Sequence, residues 1–303
     1  MSKTVIGLAR LTMAFCLVIA PAMAGAVDWD GVKSQDVTLF YPGQASWEWV
    51  LIPSTHGGAK KFREGTSCSG CHEGEEREMG NLIVSGEKLE PAPPAGMAGA
   101  VDAKIAFVQD AQNLYVRLSW PASETDATVT MMIGDNSIRE AERAGCWGAC
   151  HSDLDGMADS QGLKKYLSAS RTKLSRTGGG ENYKSDAEIA DLMAKGQFLE
   201  MWQARLTPGE PASARDGYVL KDHDYNASPA VSAEATYRNG EWHVVLARPL
   251  VGGGATRHDL ESGMTYPVAF AIHEGMTGRH HYVSLDFSLA LGQGDADFVA
   301  ITR

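Results

Sequence analysis

Two short runs of cysteine and histidine set the chemistry open to this chain: Cys68-Ser69-Gly70-Cys71-His72 and Cys146-Trp147-Gly148-Ala149-Cys150-His151. In the first, two residues separate the thiols and a histidine follows the second. At that spacing both thiols add to the vinyl groups of one haem, and the adjacent imidazole becomes the proximal iron ligand. A redox dithiol would have no use for the histidine, and no second Cys-x-x-Cys follows to complete four zinc ligands. The second run keeps the Cys-His ending with one extra residue between the thiols. It predicts a second covalent haem on Cys146 and Cys150 with His151 on the iron; a local disulfide is the alternative left open. The expected cofactors are two covalently bound c-type haems.

The fifth cysteine, Cys16, lies in an apolar run over residues 11–20 that is preceded by Lys3 and Arg10 and followed by Ala22-Met23-Ala24. This pattern reads as a secretory signal over residues 1–24 with an Ala-x-Ala cleavage site, too short for a membrane span. The expected location is the periplasm. After cleavage four cysteines remain, all in the two runs. The chain then carries 25 basic against 38 acidic residues, and four haem propionates would add to the excess. Nucleic acid and anionic membranes are poor partners for such a surface, whereas a redox protein with a basic docking patch suits it.

Distal ligands must come from the other histidines and methionines. His56 stands in Thr55-His56-Gly57-Gly58-Ala59-Lys60-Lys61-Phe62-Arg63, twelve residues before Cys68. Glycines let backbone approach a flat porphyrin, and Lys60, Lys61 and Arg63 suit propionates. His56 is the favoured distal ligand of the first haem, with Met79 as its rival. For the second haem His273, His281 and Met157 are the candidates, with Met131 a fourth. His273 shares a strand face with the small Ala269 and Ala271, which leave room for something large. His281 falls in phase with Val283, Leu285, Phe287 and Leu289.

Strands must position these groups. Leu114, Val116, Leu118 and Trp120 alternate over residues 113–120, as do Val129, Met131 and Ile133 over 128–133. Asn239-Gly240 joins two strand-like runs, Val231–Arg238 and Glu241–Leu250, as a hairpin. Further strands read over 265–273 and 280–291, with an edge strand over 297–301. Ser185, with Glu188 three residues on, caps a helix over 186–195. The expected fold is mainly β: an antiparallel β-sandwich over 101–303 with a partly helical, haem-bearing insertion at about 137–196. A small irregular or helical haem segment over 25–90 and a Pro/Gly/Ala linker over 91–100 precede it.

The runs Tyr41–Trp49 and His56–Phe62 with the first haem motif, then Asn113–Pro121, Ala271–Glu274 and His280–Leu285, resemble periplasmic dihaem c-type cytochromes. The C-terminal part resembles the haem-binding γ subunit of ethylbenzene dehydrogenase and dimethylsulfide dehydrogenase. That resemblance implies a β-sandwich that holds a haem and exchanges electrons with a molybdenum enzyme. In those subunits the haem is non-covalent with Met and Lys ligands. The covalent motif here departs from that pattern, so this ligation is not carried over.

The expected function is relay of single electrons between redox proteins by a carrier rather than a catalyst. The partners considered are a membrane quinol-linked cytochrome and a molybdenum enzyme. No nucleophile motif, phosphate loop or His-Glu-x-x-His zinc site is present. Two alternatives stand beside it: a haem enzyme or gas sensor with one open iron, and a haem subunit of a molybdenum oxidoreductase complex.

Overall fold

The computed structural model describes residues 27–43, 47–89, 93–149, 166–173, 182–275 and 281–303. The leader at 1–24, Cys150, His151, Met157 and His280 lie outside the described residues. Chain order begins with strand β1 (Gln35–Phe40) and four short helices, α1 (Trp47–Leu51), α2 (Ala59–Glu64), α3 (Ser69–His72) and α4 (Glu76–Val84). Strands β2 (Ala100–Gln109), β3 (Asn113–Pro121) and β4 (Ala127–Ile133) lead to helices α5 (Arg139–Ala149) and α6 (Asp186–Ala194). Then come β5 (Leu199–Leu206), β6 (Ser213–Val219), β7 (His223–Tyr225), β8 (Ser232–Arg238) and β9 (Glu241–Pro249). The chain closes with β10 (Thr265–Glu274), β11 (His281–Val283), β12 (Phe287–Leu291) and β13 (Phe298–Thr302).

Alternation places one face of each strand in a common interior. Leu114, Val116, Leu118 and Trp120 of β3 share a buried cluster with Val129, Met131 and Ile133 of β4 and Val268, Phe270 and Ile272 of β10. The strand order is β7-β6-β5-β4-β10-β11-β1-β2-β3-β9-β8, and β12 and β13 form a second bridge from β10 to β2. The sheet therefore folds over as a β-sandwich, with Phe107 of β2 6.3 Å from Phe270 of β10, ring centre to ring centre. Burying each such side chain contributes about 1.5–3 kcal/mol. The β8–β9 hairpin turns at Asn239 (φ 54°) and Gly240 (φ 80°), the left-handed pair that a two-residue turn requires.

Three elements differ from the expectation. The haem segment is not wholly irregular or helical, because β1 pairs with β2 along its whole length and sends Val37 and Leu39 into the sandwich. The run 280–291 is two strands rather than one. Ser284 interrupts it: its hydroxyl accepts the Phe270 N–H at 2.9 Å, and its own N–H donates to the Phe270 carbonyl at 2.9 Å. Val283 and Leu285 consequently face outward while Phe287 and Leu289 face in. Finally, β13 is no edge strand, since it lies between β12 and β2 and runs parallel to both.

The insertion between β4 and β5 supplies a second layer. Helix α5 packs on the outer face of β10, so Ala141, Ala144 and Cys146 cover Ala269 and Ala271. The room left by those alanines is filled by a helix. Helix α6 begins with a full capping box: the Ser185 hydroxyl accepts the Glu188 N–H, and the Glu188 carboxylate accepts the Ser185 N–H. Ser185→Ala should cost about 1 kcal/mol, read as a lower denaturant midpoint.

Candidate functional site

The first cysteine-histidine run folds as the single turn α3, preceded by Cys68 as N-cap. Four residues cannot sustain a helix alone, so the turn is held from outside. The Ser69 N–H donates to Asp286 Oδ1 at 3.0 Å, and the Ser69 hydroxyl donates to Oδ2 at 2.5 Å. The Cys68 N–H donates to the Arg143 carbonyl of α5 at 2.6 Å. Asp286 sits in the gap between β11 and β12, 217 residues from its partner. Sequence reasoning missed it, and nothing in its neighbourhood marks it.

Around this turn lies a cavity of about 720 Å³, counting its open mouth. Phe40, Val50, Ile83 and Leu285 make its walls apolar, with Trp49 and Trp147 beside them. Three groups of chemical interest face this space, His56, Cys68 and His72, and Met79 joins them from α4. Cys71 is half-buried on the same turn.

The two imidazoles stand with ring centres 6.2 Å apart and planes at 41°. Each has one nitrogen already engaged. His56 Nδ1 lies 3.0 Å from the Val50 carbonyl, and His72 Nδ1 lies 2.9 Å from Glu75 Oε2. Those acceptors assign the proton to Nδ1 and leave both Nε2 lone pairs for a metal. Burial holds the His56 imidazole below its ordinary pKa, with a smaller push from His72, which favours the neutral, ligating form.

Lys60, Lys61 and Arg63 do not line the cavity. Lys60 pairs with Glu64 at 3.8 Å, and Arg63 donates to the Ala59 carbonyl at 3.2 Å. The cation found on the lining is Lys88.

Of the second run, Cys146 is fully buried and Trp147 nearly so. Gly145, at φ 55°, kinks α5 just before them. A Cβ there would stand 2.3 Å from the Leu285 carbonyl oxygen. Gly145→Ala should cost at least ~2 kcal/mol through strain and overlap combined, measured as a fall in melting temperature. His273 and His281 face each other across β10 and β11 with rings stacked 5.0 Å apart, and neither lines the cavity. Met131 points into the sandwich interior, on the opposite side of the sheet from Cys146. The structure thus groups His56, Cys68, His72 and Met79 and leaves Met131 apart.

A family model described as ethylbenzene dehydrogenase matches residues 219–284. The chain is 27% identical over 285 residues to cytochrome c-551 of Rhodocyclus tenuis, covering 88% of this chain and 95% of that one. Among solved structures, the cytochrome domain of Myriococcum thermophilum cellobiose dehydrogenase aligns at 7% identity with a TM-score of 0.28, over 63% of this chain and 76% of that one. That score is too low to carry an argument. Cytochrome c-552 of Stutzerimonas stutzeri is 36% identical over 292 residues, which cover 90% of this chain and 91% of the relative. With that identity along nearly its whole length, the chain belongs to the cytochrome c-552 family.

Proposed function

We propose that this chain is a periplasmic dihaem cytochrome c that relays single electrons between redox proteins. The cavity shared by His56, Cys68 and His72 carries the reading. His56 and His72, each with its Nε2 lone pair left over, would hold the iron between them. Their ring centres stand 6.2 Å apart before any group is placed between them. The apolar walls, the thiol of Cys68 and the ammonium of Lys88 suit a porphyrin with propionates.

In this reading Cys68 and Cys71 would hold the first haem, and His72 and His56 would ligate its iron. Cys146, Cys150 and His151 would hold the second. The haems supply reversible one-electron chemistry, and the chain supplies ligands, burial and docking. Glu75 and the Val50 carbonyl fix the tautomer and orientation of the two imidazoles. Phe40, Trp49 and Leu285 keep water from the site. A leader at residues 1–24 takes the chain to the periplasm, and N-terminal sequencing of the purified protein should begin after Ala24.

A net charge of −11 suits partners that dock through basic surfaces. Among the described residues no helix is long and apolar enough to cross a membrane. The ethylbenzene dehydrogenase match at 219–284 favours a second reading, a haem subunit of a molybdenum enzyme complex. That reading predicts co-purification with a catalytic subunit.

Intact mass after denaturation tests the haem count, because only covalent haem survives unfolding. Two added haem masses are expected; one would leave the relay without its second station. The dithionite-reduced spectrum should then be unchanged by carbon monoxide. A shift of half the haem would point to a ligand-binding enzyme or sensor instead.

A further inference from the structure

The carboxylate beside His72 is delivered by a turn built for the purpose. His72, Glu73, Gly74 and Glu75 form a tight turn closed by the Glu75 N–H, which donates to the His72 carbonyl at 2.9 Å. Glu73 (φ −56°, ψ 124°) and Gly74 (φ 83°) have the angles of a type II turn, whose third residue needs a positive φ and so favours glycine. The turn brings Glu75 back to the imidazole, with Oε2 2.9 Å from Nδ1. Glu75 is also the N-cap of α4, a position where Ser, Thr, Asp or Asn would hold the first free N–H groups. Its carboxylate caps nothing there and goes to His72 instead. The two side chains are 31% and 55% exposed, so the pair adds little to stability. The two imidazoles on the cavity are thus held differently, His56 by a neutral carbonyl and His72 by an anion.

We propose that Glu75 sets the reduction potential of the first haem, by making His72 the stronger electron donor of the two imidazoles and so holding the iron toward its ferric form. The inference rests on the first-haem part of the reading above and needs no second haem. A hydrogen bond from Nδ1–H to an anion pushes electron density toward the far nitrogen, Nε2, and raises its basicity as a ligand. A neutral carbonyl, such as that of Val50 on His56, does this less. Stronger donation stabilises the ferric iron more than the ferrous one, so the potential falls. Glu75 acts only through His72 and is a positioning residue. No bond breaks and no proton leaves either side chain; the iron alone gains or loses one electron.

Glu75→Gln keeps an acceptor for the same hydrogen bond and removes its charge. Glu73→Gln is the control: Glu73 is the neighbour of His72 in sequence and carries the same charge, but it lines a separate cleft with Glu142 and Asp286. In each holoprotein the peptide carrying Cys68 and Cys71 would be weighed for attached haem. Potentiometric titration at one fixed pH would then give the potentials, and low-temperature electron paramagnetic resonance the g values of the ferric centres. In Glu75→Gln the equilibrium of one haem should move about tenfold toward the ferrous form, about 59 mV for a one-electron couple. The g values of that centre should move with it, and Glu73→Gln should change both far less. A potential unchanged in Glu75→Gln, or moved no further than in Glu73→Gln, would overturn the proposal and leave Glu75 as the mere start of α4. A wild-type peptide without haem would instead overturn the first-haem reading beneath it. If Glu75→Gln does not take up haem, Glu75→Asp decides by the same readings, because its carboxylate falls one methylene short of Nδ1: a rise in potential supports the role and a wild-type value overturns it.

Discussion

His56→Ala should leave both haems attached yet open one iron to carbon monoxide, so that about half of the reduced absorbance shifts where the wild-type spectrum does not move. The cavity explains why the effect is large. His56 is the imidazole beside His72 on the cavity, its Nδ1 is engaged by the Val50 carbonyl, and burial lowers its pKa, which favours the neutral form. On the proposed dihaem reading, removing it would leave His72 as the one strong ligand from the chain, in a pocket whose other walls are apolar. His56→Met should retain six-coordination and raise that haem's potential by on the order of 100 mV, a fraction of the range that axial ligands span. Met79 lines the same cavity and gives the experiment its sharpest contrast. If Met79 is the ligand, His56→Ala will be silent and Met79→Ala will open the iron. Equilibrium redox titration with carbon monoxide difference spectra decides between them.

Glu200→Ala should destabilise the fold by about 3–5 kcal/mol without touching either haem run, the loss expected when a buried ionic network loses one partner. Glu200 on β5 and Arg248 on β9 are both fully buried, on strands that are not neighbours in the sheet. Arg248 Nε lies 2.8 Å from Glu200 Oε1, and the other carboxylate oxygen accepts Arg248 Nη2 at 3.1 Å. The His258 N–H and the Trp202 indole N–H donate to the same carboxylate at 2.8 and 2.7 Å. Alanine would strand the His258 and Trp202 N–H groups and leave the buried Arg248 charge without its counter-ion. Glu200→Gln keeps one acceptor oxygen and should cost about 1–3 kcal/mol.

The network also predicts a pH dependence. Burial pushes the Glu200 carboxyl up to about 7, against the pull of Arg248 and the two N–H donors. A carboxyl raised above its unfolded value takes up a proton on folding. Its contribution to stability is therefore full below about pH 4.5 and is lost as pH rises to about 7. Denaturant titrations at several pH values should show that slope in the wild-type protein and lose it in Glu200→Gln.

Much of the sandwich is legible in the sequence because half of it obeys period two. Strands β3, β4 and β10 each bury one face against the common interior, so Leu114 to Trp120 and Tyr266 to Ile272 announce themselves. Strand β5 does not. Leu199 and Met201 lie under the helices, Trp202 and Ala204 in the interior, and Glu200 and Gln203 are buried as well. β10 is covered on both faces too, but its outward residues Ala269 and Ala271 are small and leave the bulky set alternating, whereas β5 carries large residues on both faces and shows no alternation. The break at Ser284 was hidden for another reason: a side-chain hydroxyl takes over a backbone partner only once β10 lies alongside. The two cysteine-histidine runs stood out because attachment chemistry demands contiguous residues. Asp286 and Lys88 did not, since contact between distant chain positions creates their relation to the site. Trp147 was visible as a neighbour of Cys146, but its place on the cavity lining beside the Gly145 kink was not.

The seam of the sandwich joins opposite ends of the chain, β1 to β11 and β2 to β13. Such pairings form late, because the entropy of bringing distant segments together must be met before they add any stability. The clasp on the first cysteine-histidine turn obeys the same clock, since Asp286 and Leu285 stand between the strands that make the seam. While those strands are still unmade, Cys68, Cys71 and Cys146 belong to an open chain whose thiols a reagent can reach. Once β11, β12 and β13 settle, the turn is fastened and Cys146 is sealed in. Chemistry at the Cys146 thiol therefore has a window that the fold itself closes, and a chain that misses it would have to open its seam to be repaired.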